Sequence, residues 1–153
     1  MSKASRLPDT SARREPENLA ILLREPFRAM TDELMARLAA GGHPEVRSAH
    51  AAVFEYLDDA GTRVSVLAER AGMTKQSMTE LVAHLERHGY VERVPDPEDR
   101  RAKLVRATGR GEEVYAIARE FVAELEADWT RRLGRTKMRQ LRRLLEELNE
   151  GLP

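Results

Sequence analysis

Cysteine is absent from all 153 residues. That removes disulfides, thiolate metal ligands, thiol nucleophiles and thiol-based redox sensing together. Aromatic residues are scarce too, at 5% of the chain against 34% charged residues, a balance that suits a helical protein with many exposed faces. Long apolar runs are also missing. Met1 to Asn18 is polar and charged, without the apolar stretch of a secretory signal, and no later segment approaches the ~20 apolar residues of a membrane span. These absences predict a soluble, cytoplasmic protein. Neither sign of charge is in excess, because 26 Lys and Arg balance 26 Asp and Glu. Bulk attraction to a polyanion therefore explains nothing about this chain, and any such binding must come from charges sorted onto one face.

Catalytic signatures are equally thin. No Gly-x-Ser-x-Gly or phosphate-loop pattern occurs, and Gly109-Arg-Gly111 is too short to cradle a nucleotide. Ser65 and Ser77 have helix capping as their natural role, and the carboxylates are spread over solvated helix faces. No catalytic residue, cofactor or enzymatic activity is expected. Glu80, His84 and His88 stand at i, i+4 and i+8, a spacing that could offer ligands to zinc. Four residues of helix rise about 6 Å, so two neighbours can share an ion but three hardly can. An exposed polar face explains them more simply, and no metal is expected. His43 and His50 lie in or beside a core helix, where a pH- or ligand-sensing role is the alternative to the usual structural or exposed one.

What is present centres on Val64 to Thr108. Ser65 can cap a short helix that Gly72 stops, and Thr74 can cap a second helix ended by Gly89. Within the second helix Met78, Leu81, Val82 and Leu85 make one apolar stripe. Helix, short Gly-containing turn and helix fit the helix-turn-helix spacing, in which the second helix enters the major groove of DNA. Opposite the stripe stand Gln76, Thr79, Glu80, Ala83 and Arg87, with Ser77 and His84 at its flank. Gln can bond an adenine edge twice, Glu can accept from the cytosine amino group, and Thr or Ala methyls can touch thymine. Lys75 and the helix N-terminus at Thr74 suit a phosphate.

Two strand-like runs follow, Tyr90 to Pro95 and Ala102 to Ala107, with Asp96 to Arg101 as the tip of a hairpin. Two prolines keep the tip out of a sheet, and Arg100, Arg101 and Lys103 give it cations that can slot into a narrow minor groove. A solvated, ion-paired loop is the plainer alternative.

These residues resemble the multiple-antibiotic-resistance regulator (MarR) family of winged-helix repressors. The resemblance rests on Leu67-Ala-Glu-Arg-Ala-Gly72, Thr74-Lys-Gln-Ser77, Leu85-Glu-Arg-His-Gly-Tyr-Val-Glu-Arg93 and Asp99-Arg-Arg101, followed by Thr108 and Gly111. It implies that Asp99 orients Arg101 and that Arg101 enters the minor groove. Ala107 departs from the pattern, since the family usually has Leu before the Thr, and leaves the junction after the wing less firmly packed.

Around this unit the chain reads as scaffold. Leu19, Leu22, Leu23, Phe27, Met30, Leu34 and Leu38 keep helical spacing over about 17–40, with Pro26 marking a kink or a late start, and Gly41-Gly42 stops the helix. Val46, Ala49, Val53, Phe54 and Leu57 predict a further helix before the turn at Asp58 to Gly61. Thr108 can cap a long helix carrying Val114, Ile117, Phe121, Leu125 and Trp129, which Gly134 breaks. Thr136 can cap a last helix carrying Met138, Leu141, Leu144, Leu145 and Leu148. The expected fold is mainly α with a small β-hairpin wing. A flexible tail over 1–16 precedes a single winged helix-turn-helix domain over 17–153, with 45–107 as the DNA-binding unit and 17–40 plus 108–150 as dimerisation helices.

A homodimer would place two recognition helices roughly 34–36 Å apart, which predicts a pseudo-palindromic site in double-stranded DNA. The resemblance further implies a repressor whose DNA affinity changes when a small aromatic or anionic effector binds. The effector and its pocket cannot be read from the residues. A winged-helix module for protein contacts, and a metal-sensing regulator, are the alternatives.

Overall fold

The computed structural model describes residues 18–152, so the tail expected over 1–16 lies outside the described residues. The elements run α1 (Leu19–Ala40), a 3-10 turn (Ser48–His50), α2 (Ala51–Tyr56), α3 (Val64–Arg70), α4 (Lys75–Arg87), β1 (Val91–Pro95), β2 (Lys103–Ala107), α5 (Gly109–Leu133) and α6 (Arg135–Glu150). The chain divides into two compact units after Glu33, within α1. In the first unit the described residues from Leu19 onward are helical. Asn18 Oδ1 accepts from the Ala20 N–H at 2.9 Å, and the helix continues through Pro26 with no late start. Ile21, Leu22, Leu23 and Phe27 are exposed.

The second unit holds the core. Met78, Val82 and Leu85 of α4 are fully buried with Val53, Leu67, Tyr90, Val91 and Val105, so the apolar stripe predicted on α4 is the face that packs. Val114 and Phe121 bring α5 into this unit, and Tyr115 donates from its hydroxyl to the Phe54 carbonyl at 2.6 Å. Burial pushes the Tyr115 phenol up to about 12.

Helix ends follow the capping residues wherever the cap is local. Thr74 Oγ1 accepts from the Ser77 N–H, and Thr108 Oγ1 from the Gly111 N–H. At the end of α3, Gly72 at φ +61° lets the Met73 N–H reach the Ala68 carbonyl. Gly89 at φ +76° does the same for the Tyr90 N–H and the Leu85 carbonyl. Two expected caps are displaced. Arg63, not Ser65, is the N-cap of α3, and Gly134 is the N-cap of α6, leaving Thr136 inside the helix. Thr62, just before α3, is already fixed by backbone pairing with Val105, so the helix begins as soon as that pairing ends. The helix expected from Val46 is broken into the 3-10 turn and a short α2.

The hairpin is antiparallel, with Val91 opposite Ala107 and Pro95 opposite Lys103. Thr62 extends it by a one-residue bridge. Its N–H donates to the Val105 carbonyl at 2.8 Å and its carbonyl accepts from the Val105 N–H at 2.9 Å. Behind the hairpin Gly111 is buried where α5 crosses the start of β1. A Cβ there would collide with the Tyr90 carbonyl oxygen and crowd the Ala107 Cβ at 3.1 Å. Gly111→Ala is therefore expected to cost about 2–3 kcal/mol of folding stability, because the obstacle is backbone rather than a flexible side chain. A urea titration reads it as a lower midpoint with little change of slope.

Candidate nucleic-acid interface

The outer face of α4 is open. Thr74, Lys75, Gln76, Ser77, Thr79 and Glu80 are all exposed. Local contacts hold several of them in place. Thr74 Oγ1 donates to Ser77 Oγ at 2.9 Å, Thr79 Oγ1 donates to the Lys75 carbonyl at 2.6 Å, and Gln76 Nε2 lies 3.4 Å from Glu80 Oε1.

His84 differs from the reading that grouped it with them. Its ring is turned toward the segment before α2, with Nε2 3.0 Å from the Glu45 carbonyl and Nδ1 3.0 Å from Arg47 Nη2. It stacks on His50 at 4.6 Å between centroids and meets His88 at 4.6 Å, tilted. Two hydrogen bonds and two ring contacts leave His84 off the open face. Among the described residues, no group of three or more His, Cys, Asp or Glu is placed to hold a metal ion.

The wing tip is built by two aspartates. Asp99 Oδ1 accepts from the Arg101 N–H at 3.0 Å, so the carboxylate fixes the backbone from which the Arg101 side chain projects. Asp96, expected only as a tip residue, is 6% exposed and does more. Its Oδ1 accepts from the Glu98 N–H at 2.8 Å and its Oδ2 from Arg63 Nε at 2.6 Å. The Glu98 amide first and then the Arg63 guanidinium hold the Asp96 carboxyl below its usual range. Arg63 also lies 3.9 Å from Asp99. The residue that starts α3 thus grips the wing, a contact across 33 positions that composition and spacing do not reveal. An Asp followed by Pro and Glu, the makings of a side-chain-to-backbone turn, was the one local sign of it.

The charge problem left by the sequence resolves by pairing. Arg93 bonds Glu86 at 3.0 Å, Arg106 bonds Glu92 at 2.8 Å, and Arg63 takes Asp96. Lys75, Arg87, Arg100, Arg101 and Lys103 have no side-chain hydrogen bond or ion pair among the described residues. The acids that would cancel this unit are largely occupied by other cations. A neutral chain therefore presents free positive charge around α4 and on the wing.

A second polar cluster fastens this unit to the start of α5. Tyr90 donates from its hydroxyl to Glu45 Oε2 at 2.8 Å, and Arg110 Nη2 donates to the same oxygen at 3.1 Å and to Tyr90 Oη at 3.0 Å. The Arg110 guanidinium also lies 4.6 Å over the Tyr90 ring. The Tyr90 hydroxyl is the main reason the Glu45 carboxyl titrates low, while burial raises the phenol itself.

Two packed helices with a short turn, an open polar face on the second, and a paired hairpin held by Arg63 define a winged helix-turn-helix. Residues 46–102 match the family model described as MarR family. The transcriptional regulator HosA of Escherichia coli O111:H- is 32% identical over 77 residues, 50% of this chain and 57% of that protein. The transcriptional activatory protein BadR of Rhodopseudomonas palustris is 39% identical over 57 residues, 37% of this chain and 33% of that one. The chain thus spans less than two thirds of the length of these curated relatives. Among solved structures, the transcriptional regulator Tm0710 of Thermotoga maritima is 29% identical with a TM-score of 0.59, covering 86% of this chain and 92% of that one. Two neighbours share the fold at lower identity. A mutant of S. aureus MepR bound to an oligodeoxyribonucleotide is 18% identical, with a TM-score of 0.59 and cover of 90% and 100%. CouR of Rhodococcus jostii RHA1, bound to p-coumaroyl-CoA, is 23% identical, with a TM-score of 0.67 and cover of 90% and 95%. Residues 46–102 are thus similar to the MarR family, and the fold is the one seen in the MarR crystal structure.

Proposed function

We propose that the protein is a cytoplasmic, homodimeric transcriptional regulator that binds double-stranded DNA sequence-specifically and has no catalytic step. Residues 45–107 form its DNA-binding unit, and residues 17–40 and 108–150 its dimerisation helices. α4 enters the major groove with Gln76, Thr79 and Glu80 toward base edges, while Thr74, Lys75 and Ser77 take phosphate. The wing lays Arg101 in the minor groove, oriented by Asp99, with Arg100 and Lys103 on the flanking backbone.

The observation that carries this reading is the free cation set, Lys75, Arg87, Arg100, Arg101 and Lys103, around an open polar helix in a chain of zero net charge. Pairing of two copies is supported by α6, which has no buried residue and exposes Leu144, Leu145 and Leu148. α1 separately exposes Leu19, Leu22, Leu23 and Phe27. Ligand response, through a small aromatic or anionic effector, is what the family resemblance implies, and the structural neighbour CouR is bound to p-coumaroyl-CoA. Repression is the sign the family resemblance implies.

Binding to duplex DNA at varied salt tests the reading. Ten free cations per dimer predict that log affinity falls with log salt at a slope of roughly −5 or steeper. Arg101→Ala flattens that slope by about one per protomer. No binding to a pool of random duplexes at low salt would contradict the reading and leave the open face of α4 to a protein partner.

A further inference from the structure

Beside α4, between it and the segment that leads into α2, lies a pocket of about 270 Å3. Arg47, His50, Glu80, His84 and Arg87 line it. Its hydrogen bonds fix the protonation of two histidines. A carbonyl only accepts, so His84 Nε2 carries the proton that meets the Glu45 carbonyl at 3.0 Å. A guanidinium only donates, so His84 Nδ1, 3.0 Å from Arg47 Nη2, is a bare lone pair. His84 is therefore the neutral Nε2–H tautomer. The Arg47 N–H donates to His50 Nδ1 at 2.9 Å, which makes His50 neutral as well. Arg47 thus blocks the basic nitrogen of both rings, one with its backbone and one with its side chain.

Every group facing His84 bears on what a proton there would do. From the segment before α2 come the Arg47 guanidinium and the Glu45 carbonyl, since the Glu45 carboxylate is engaged by Tyr90 and Arg110. The 3-10 turn contributes His50, and α4 contributes Glu80, Arg87 and His88. Burial first, and the Arg47 charge beside it, pull His50 down to about 4, so it stays neutral across the range in which an imidazole normally titrates. A proton on His84 would face Arg47 and Arg87 with only Glu80 opposed, and Glu80 lies against Gln76. The pocket is short of negative charge.

Resting on the proposed DNA binding, we propose that this pocket seats a backbone phosphate of bound duplex DNA and that seating it draws one proton from solvent onto His84. The phosphate takes the Arg47 guanidinium from His84 Nδ1. The freed lone pair accepts the proton, and the imidazolium then donates from Nδ1 to the phosphate while Nε2 keeps the Glu45 carbonyl. Arg87, free of any partner among the described residues, closes the other side. The recognition helix is thereby coupled to pH, and DNA binds more tightly in acid.

The test uses a duplex enriched from a random pool, with affinity measured at fixed ionic strength at pH 8 and pH 6. Wild-type affinity rises at pH 6 by up to about tenfold per protomer, the effect of a one-unit rise in the pKa of His84 on binding. Calorimetry in buffers of different ionisation heat reads a net uptake of about half a proton per protomer at a pH midway between the free and bound pKa values. In His84→Gln the amide can still donate to the Glu45 carbonyl and accept from Arg47, but it cannot be protonated. Its affinity ratio between the two pH values falls toward one. NMR titration of the His84 ring in the wild type, free and DNA-bound, reads the same linkage without a substitution. Equal wild-type affinity at both pH values, an unchanged ratio in His84→Gln, or a His84 pKa unmoved by DNA would overturn the proton linkage while leaving DNA binding intact. A wild type that binds no duplex at either pH would instead overturn the DNA-binding reading, and the linkage with it.

Discussion

Replacing Leu144 and Leu148 together by glutamate is expected to yield a monomer and to weaken duplex binding by about 10²–10⁴-fold. Both side chains are about half exposed on α6, one helical turn apart, and the helix has no buried residue of its own. Burying such a face against a second copy is favourable by roughly 1.5–3 kcal/mol per fully covered leucine, and two carboxylates in its place would be desolvated without partners. The loss at DNA follows from linkage. In a dimer, one recognition helix on its half-site holds the other at high effective concentration over the second, and a monomer loses that advantage. Sedimentation would show a single 17.4 kDa species. Circular dichroism is expected to stay helical, because neither leucine belongs to the core around α4. A double variant that still sediments as a dimer would move the interface elsewhere.

The second large effect is expected at Asp96. Asp96→Ala should weaken DNA binding about 10- to 100-fold, the size of losing a good groove contact, although Asp96 itself is buried and touches no DNA in the proposed mode. It removes the acceptor for the Glu98 amide and for Arg63, so the tip loses its internal turn and its tie to the start of α3 in one step. Arg101 would then project from a loosened loop. Asp99→Ala, which removes the bond to the Arg101 N–H but leaves the Arg63–Asp96 grip, should cost less. The pH dependence has a definite sign. The folded Asp96 carboxyl titrates below its ordinary value of 3.8, so its contribution is complete above that value and is lost as the pH falls through the lowered pKa. Faster amide exchange across residues 96–102 in Asp96→Ala, with the amides of Met78 to Leu85 unchanged, is the expected signature. Uniform loss of protection would show instead that Asp96 supports the whole fold.

Much of the local structure was legible because its causes are local. Thr74 and Thr108 cap the helices they precede, Gly72 and Gly89 end helices at positive φ, and the period of Met78, Leu81, Val82 and Leu85 marks the packed face of α4. Ser65 and Thr136 have the right chemistry for caps in the wrong place. The bridge from Thr62 to Val105 sets where α3 can start, and the φ of +85° at Gly134 sets where α6 does.

The candidate site divides the same way. Its open face, Gln76, Thr79 and Glu80, follows from the helical period alone. His84 has the correct angular position for a flanking residue, yet its partners are 37 and 39 positions away, and no periodicity reports them. Arg63 and Asp96 are likewise joined only by the fold. Charge was the least legible property. A net charge of zero hid five free cations because the cancelling acids are held by other arginines.

The most direct test of this account is selection of bound fragments from random duplex DNA at physiological salt, followed by sequencing. It predicts an enriched motif of two inverted half-sites with centres one helical turn apart, about 10–10.5 base pairs, lost in the Leu144→Glu, Leu148→Glu variant. A single asymmetric motif, or no enrichment over the starting pool, would contradict it.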